Sequence, residues 1–153
     1  MGDQNKKDTA VSPMGCAFAT GGIIKIDKIA AGLGIIIYSS AKRMAAGAHV
    51  MMAASRTQDV INPGCYANTA IPHMLDQFKD KGVGPPFSVA LAGGAAMLPT
   101  RRGDVGIKLI AAIKEALSRE KLQVKIEKTG GAQIRSIFLD IDQGKIKISD
   151  ANI

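Results

Sequence analysis

The chain has 153 residues, of which 46% are hydrophobic and 22% charged, so it suits one globular domain rather than a disordered segment. Its net charge of +7 favours acidic partners, but the basic residues are scattered and 4% aromatic content offers no stacking platform for nucleic-acid bases. Two cysteines make no disulfide framework, and no apolar run reaches membrane-spanning length. We therefore expect a soluble cytoplasmic protein that binds no nucleic acid and has no membrane span.

The N-terminal half predicts strands. Residues 1–13 are expected to be a disordered tail, followed by a single domain over residues 14–153. Short apolar or alternating segments predict strands over residues 14–20, 23–29, 35–38 and 46–52. The β-branched run at residues 35–38 is typical of a strand buried on both faces. The strand after it carries His49.

The second half predicts two helices between further strands. Apolar residues at positions 71, 74, 75 and 78 follow helical spacing, with Asn68 or Thr69 as the N-cap and Gly82 at the end. A strand over residues 87–92 precedes a second helix, which begins near Asp104. Alternation then predicts a strand at 124–127 and a hairpin at 136–149. This order indicates an α+β layered sandwich with mostly antiparallel or mixed sheets and two main helices.

Few residues have the spacing of a chemical site. The glycine pairs do not continue into a phosphate-binding pattern, and His49 and His73 lack metal-ligand spacing, so we expect no cofactor and no metal. From the residues alone, His49 is either a structural histidine bonded to backbone or a catalytic base. The second role needs a nucleophile within hydrogen-bond reach.

Five segments, in order along the chain, resemble motifs of one family. They are GAHVMM (47–52), PGCYANTAIPHML (63–75), LAGGAAM (91–97), VGIKLIAAIKEAL (105–117) and TGGAQIRSIFLDIDQGKIKI (129–148). The segments resemble the CheD family, the chemoreceptor glutamine deamidases of bacterial and archaeal chemotaxis. The resemblance implies a three-layer α/β fold. It also implies a site in which a cysteine thiolate attacks a receptor glutamine, a histidine acts as base and a threonine completes the site.

The resemblance assigns the base to His49 but supplies no nucleophile. Counting back from His49 without a gap places Gly32 at the family's cysteine and Ile26 at its threonine. A second register, which needs a four-residue gap, places Ile36 at the cysteine. Neither glycine nor isoleucine can form a thioester. Our hypothesis is a CheD-like protein that has lost deamidase activity and binds chemoreceptors or a CheC-type phosphatase. The alternative is an active deamidase that uses His49 with Cys65 as a substitute nucleophile.

Overall fold

The computed structural model describes residues 7–54, 62–96 and 104–151. Its secondary structure comprises nine strands, two α-helices and a short 3₁₀ helix within these ranges. In chain order they are β1 (Asp8–Ala10), β2 (Cys16–Thr20), β3 (Ile23–Ile29), β4 (Leu33–Ser39), β5 (Met44–Val50), the 3₁₀ helix (Pro63–Cys65), α1 (Ala67–Asp80), β6 (Ser88–Gly93), α2 (Asp104–Arg119), β7 (Val124–Thr129), β8 (Ile134–Asp140) and β9 (Lys145–Ala151).

The strands form two mixed sheets. The larger sheet has five strands in the order β2-β5-β4-β6-β7, in which only the β6–β7 pair is parallel. The smaller has four strands in the order β1-β3-β8-β9, in which only β1–β3 is parallel. Together with two helices, these sheets confirm the predicted α+β layered sandwich.

Strand β4 lies at the centre of the larger sheet and is buried along its whole length. Leu33, Ile35 and Ile37 belong to the apolar cluster that includes the buried faces of α1 and α2. Ile36 and Tyr38, at alternate positions, belong to the second cluster, shared with β3 and β8. Because side chains of a strand alternate between the two faces of a sheet, β4 separates a helix-facing core from an inter-sheet core.

Two local features differ from the sequence-based expectation. Residues 8–10, inside the expected tail, form β1 and pair with the edge of β3, which would otherwise leave its backbone groups unpaired. Residues 1–6 lie outside the described ranges. The predicted N-cap of α1 is wrong, because the helix begins at Ala67 with Tyr66 as N-cap. The Thr69 hydroxyl instead donates to the carbonyl of Pro63 at 2.5 Å.

No helix in the described part of the chain is long and apolar enough to cross a membrane.

Candidate functional site

His49 lies near the end of β5, between β2 and β4 in the larger sheet. Its backbone N–H donates to the carbonyl of Gly15 at 3.1 Å, and its carbonyl accepts from the N–H of Met14 at 3.0 Å. Ala48 and Val50 belong to the helix-facing core, so alternation directs the His49 side chain toward the inter-sheet face. Both hydrogen bonds join His49 to the segment that leads into β2, so its backbone is held on that side.

The His49 imidazole is 3% exposed, and its Nδ1 has no hydrogen-bond partner among the residues that the structure describes. Burial lowers the pKa of His49 below its usual 6.5, because transfer from water penalises the charged imidazolium. The ring is therefore neutral at physiological pH, with one nitrogen able to accept a proton. A buried polar atom without a partner is unusual in a structural histidine.

Gly32 immediately precedes β4 and lies against the His49 ring. A Cβ atom built on Gly32 would lie 3.2 Å from His49 Nε2, 2.9 Å from the carbonyl oxygen of Val50 and 2.7 Å from Met51 Sδ. The φ angle of Gly32 lies outside the left-handed region, so its backbone is compatible with an L side chain. The structure thus brings together Gly32 and His49, two of the positions singled out in the sequence.

A glycine-rich loop supports Gly32 from the other side. The N–H of Gly94 donates to the Gly32 carbonyl at 2.7 Å, and the N–H of Ala95 donates to the Ala30 carbonyl at 2.9 Å. A Cβ on Gly93 would meet the Gly32 oxygen at 2.4 Å, and φ of Gly93 is +122°, so both space and conformation require glycine there. These contacts fix the height of the Gly32 backbone above the sheet.

Arg135 on β8 ties this loop to the smaller sheet. Its Nη1 donates to the carbonyl of Gly130 at 2.7 Å and reaches the carbonyl of Gly93 at 3.4 Å, while its Nε donates to Asp150 at 3.2 Å. The side chain is buried, and its charge is balanced by one partly exposed carboxylate. Arg135 therefore acts on Gly32 indirectly, through the loop that carries Gly93 and Gly94.

Ile26 and Ile36 both lie in the inter-sheet core. The alignments with the CheD motifs place Ile26 at the family's threonine and, in the second register, Ile36 at its cysteine. Ile26 is fully buried on β3, where its Cδ1 would be 3.4 Å from a Cβ on Gly34, the cross-strand partner of His49. Ile36 pairs with Gly47 on β5 and is also fully buried. A reactive group at Ile36 would be closed to a protein substrate. Gly32 is also buried, but it lies just before β4 and beside the partly exposed Met51.

The two cysteines are free thiols in different settings. Cys65 ends the 3₁₀ helix and is 6% exposed, and its carbonyl accepts from the N–H groups of both Met51 and Met52. Cys16 pairs with Ala48 and packs against the helix-facing core, on the opposite face of the sheet from His49. Burial raises the pKa of the Cys16 thiol to about 11. Cys16 is therefore an inert packing residue.

Three partly exposed methionines lie in the segments that flank His49. The exposed fractions are 48% for Met14, 37% for Met51 and 54% for Met52. We call these three residues the methionine rim. Met51 lies in the segment GAHVMM that resembles the family motif, but sequence reasoning missed its contact with Gly32. The signal was present, since period two places residue 51 on the same face as residue 49.

A family model described as CheD chemotactic sensory transduction matches residues 51–150. A probable chemoreceptor glutamine deamidase CheD of Methanococcus vannielii is 39% identical over 121 residues, covering 77% of this chain and 79% of the relative.

More distant relatives agree with this match. A probable chemoreceptor glutamine deamidase CheD of Clostridium botulinum is 33% identical over 127 residues, covering 79% of this chain and 78% of the relative. The chemoreceptor glutamine deamidase CheD of Thermotoga maritima is 30% identical over 107 residues, covering 69% of this chain and 68% of the relative. The chain belongs to the CheD family.

Proposed function

We propose that this protein is a chemotaxis protein of the CheD family that binds chemoreceptors or a CheC-type phosphatase without deamidating glutamine. The observation that carries the proposal is the position of Gly32. A side chain there would begin 3.2 Å from Nε2 of His49, so a thiol at this position would lie beside the imidazole, as in a cysteine–histidine pair. The position holds glycine, so the thiolate that would attack the amide is absent.

The absence of the nucleophile is expected to have a large effect on the rate of deamidation. Removing the nucleophile from a cooperating catalytic unit typically costs on the order of 10⁶ in kcat. A neutral, buried His49 could still accept a proton, but a base without a nucleophile forms no thioester. Ile26, at the family's threonine position, likewise supplies no hydroxyl. Glycine at position 32 and isoleucine at position 26 therefore leave His49 without either partner that the family site uses.

The methionine rim supports a binding role. Exposed methionines adapt their shape to apolar partners, because the side chain is unbranched and its sulfur is polarizable. Met51 lies on the same strand face as His49, and its Sδ would touch a Cβ on Gly32. Met14 and Met52 belong to the adjoining segments. We therefore place the binding surface for a receptor helix, or for a phosphatase that competes with it, on the methionine rim.

An active enzyme with Cys65 as nucleophile is the second candidate. Its support is that the Cys65 carbonyl is bonded to the N–H groups of Met51 and Met52, so Cys65 lies near the end of the His49 strand. Against it, the Cys65 side chain is nearly inaccessible to a protein substrate.

One experiment separates the two candidates. The protein is incubated with chemoreceptor cytoplasmic fragments, and Gln-to-Glu conversion is measured by mass spectrometry for wild type, His49→Ala, Cys65→Ser and the control Cys16→Ser. We expect no conversion by any of them, with the fragments or a CheC-type protein retained in a pull-down and retention reduced by Met14→Ser/Met52→Ser. Conversion by wild type that is lost in Cys65→Ser would establish the enzyme and refute our proposal.

A further inference from the structure

A second candidate surface lies at the far end of the larger sheet from His49. It is an open, mostly apolar cleft of about 640 Å³ between the C-terminal ends of α1 and α2. Phe87 lines the cleft and directly precedes β6. Gly93, which belongs to the glycine-rich loop beside Gly32, lies at the other end of the same strand. A strand of this length spans about 17 Å, so the two surfaces are separate. The cleft is formed by Leu75, Lys79, the segment 83–87 and the segment 120–123.

The walls of the cleft combine an apolar floor with a basic rim. Leu75, Phe87 and Leu122 are half-buried and present their remaining surface to the opening. The ammonium groups of Lys79 and Lys121 line the same cleft, and neither forms an ion pair with a described residue. Among the described residues that line the cleft, Glu120 is the only acidic one. The rim therefore has a net positive charge and complements an acidic partner.

Lys121 occupies a conformation that favours glycine. Both helices end in the same way, with Val83 N–H donating to the Phe78 carbonyl and Leu122 N–H donating to the Leu117 carbonyl. After α1 the left-handed position is Gly82, at φ +73°, but after α2 it is Lys121, at φ +58°. A lysine is strained there where a glycine is not. The side chain at this position lines the cleft, where lysine adds a positive charge that glycine would not.

We propose that this cleft binds the apolar face of an acidic amphipathic helix of a partner protein. Leu75 and Lys79 are one helical turn apart on the same side of α1, so the cleft runs beside a helical ridge that a second helix can pack against. Apolar side chains of the partner fill the floor, and its carboxylates meet Lys79 and Lys121. This is the helix-in-groove mode of recognition. It does not depend on the function proposed for the His49 site.

The test uses the full chain, isotope-labelled, and two designed peptides about four helical turns long. Both carry leucine at helix-face spacing; one has glutamate at the other positions and the second has lysine. Binding is followed by amide chemical shifts. We expect the acidic peptide to shift Leu75, Phe87 and Leu122, with affinity falling as salt rises from about 0.05 to about 0.5 M, and the basic peptide to bind far more weakly.

Two lysine-to-glycine variants, both at positions with positive φ, test whether binding depends on the cleft. Lys121→Gly should weaken the acidic peptide about threefold, as expected for one exposed ion pair, while the melting temperature stays the same or rises. Lys28, another exposed lysine with positive φ (+55°), is on β3 away from the cleft, so Lys28→Gly should leave affinity unchanged. The proposal would be overturned if both peptides bound with equal affinity, or if Lys121→Gly and Lys28→Gly lost affinity equally. It would also be overturned if the cleft bound dodecanoate but not the acidic peptide.

Discussion

Gly32 and His49 lie next to each other at one end of the central strands. A Cβ atom on Gly32 would lie 3.2 Å from Nε2 of His49. The space in front of Gly32 is filled by the thioether of Met51, whose Sδ would be 2.7 Å from that Cβ. The thioether is the far end of a flexible side chain and can rotate away, whereas the Val50 carbonyl oxygen, 2.9 Å from the same Cβ, would need a small backbone shift.

This geometry makes a prediction about an introduced thiol. In Gly32→Cys/Met51→Ala, the new cysteine should be alkylated by iodoacetamide at pH 7 severalfold faster than in the same protein with His49→Ala, because the imidazole accepts the thiol proton. The effect should stay modest, since burial disfavours the imidazolium that forms. Mass spectrometry of the alkylated peptide gives the rate at residue 32. Equal rates with and without His49 would contradict the proposed register.

The buried imidazole predicts a pH dependence of stability. The folded pKa of His49 is below its unfolded value of 6.5, so the unfolded chain binds more protons as the pH falls below that value. The contribution to stability is therefore complete above about pH 6.5 and is lost at lower pH. Urea unfolding at about pH 7.5 and about pH 5 should show a larger decrease for wild type than for His49→Gln. The same decrease in both proteins would show that His49 does not titrate as its burial implies.

The hydrogen bonds of Arg135 predict that its replacement destabilises the loop around Gly32. Arg135→Met should lower the free energy of unfolding by about 2–3 kcal/mol, because the partly buried Gly130 carbonyl and Asp150 lose their donor and the buried Gly93 carbonyl loses one of two. Arg135→Lys should lie between that variant and wild type. Asp150→Asn serves as the control and should cost less than about 1 kcal/mol, since that carboxylate is one-third exposed. Equal losses for Arg135→Met and Asp150→Asn in urea unfolding would rule out the carbonyl contacts as the main contribution.

Two glycines with positive φ should respond differently to alanine. Gly82 has no heavy atom within 4 Å of a built Cβ, so Gly82→Ala should cost about 1 kcal/mol of backbone strain alone. Gly93→Ala adds a backbone clash with the Gly32 oxygen at 2.4 Å and should cost more than about 3 kcal/mol. Thermal or urea unfolding of the two variants measures the difference. Similar losses would mean that the loop around Gly93 relaxes freely.

The layered fold was predictable because its strands and helices have strong, simple patterns. The β-branched run within β4 and the spacing of Ile71, Met74 and Phe78 in α1 each specify one environment. The start of α1 was not predictable from side chains, because Tyr66 caps it through backbone conformation alone. Local boundaries of this kind depend on tertiary contacts, here the hydrogen bonds around the 3₁₀ helix.

The site was predictable only in part. Family spacing and strand alternation together indicated Gly32 and His49, and the structure places them in contact. The filling of the space by Met51 and the support from Arg135 depend on how chain ends and loops meet in three dimensions. Neither arises from a periodic pattern, so neither could be derived from the sequence.

The fit of Met51 over Gly32 has an evolutionary consequence. Glycine and cysteine codons can differ by a single base, and the backbone at residue 32 already accepts an L side chain. The obstacles to a thiol are a thioether that can rotate away and a close contact with the Val50 carbonyl, while the histidine, the glycine loop and its arginine support all remain in place. The protein is thus separated from a cysteine–histidine pair by a very short mutational path, and laboratory selection for deamidation should find residue 32 first.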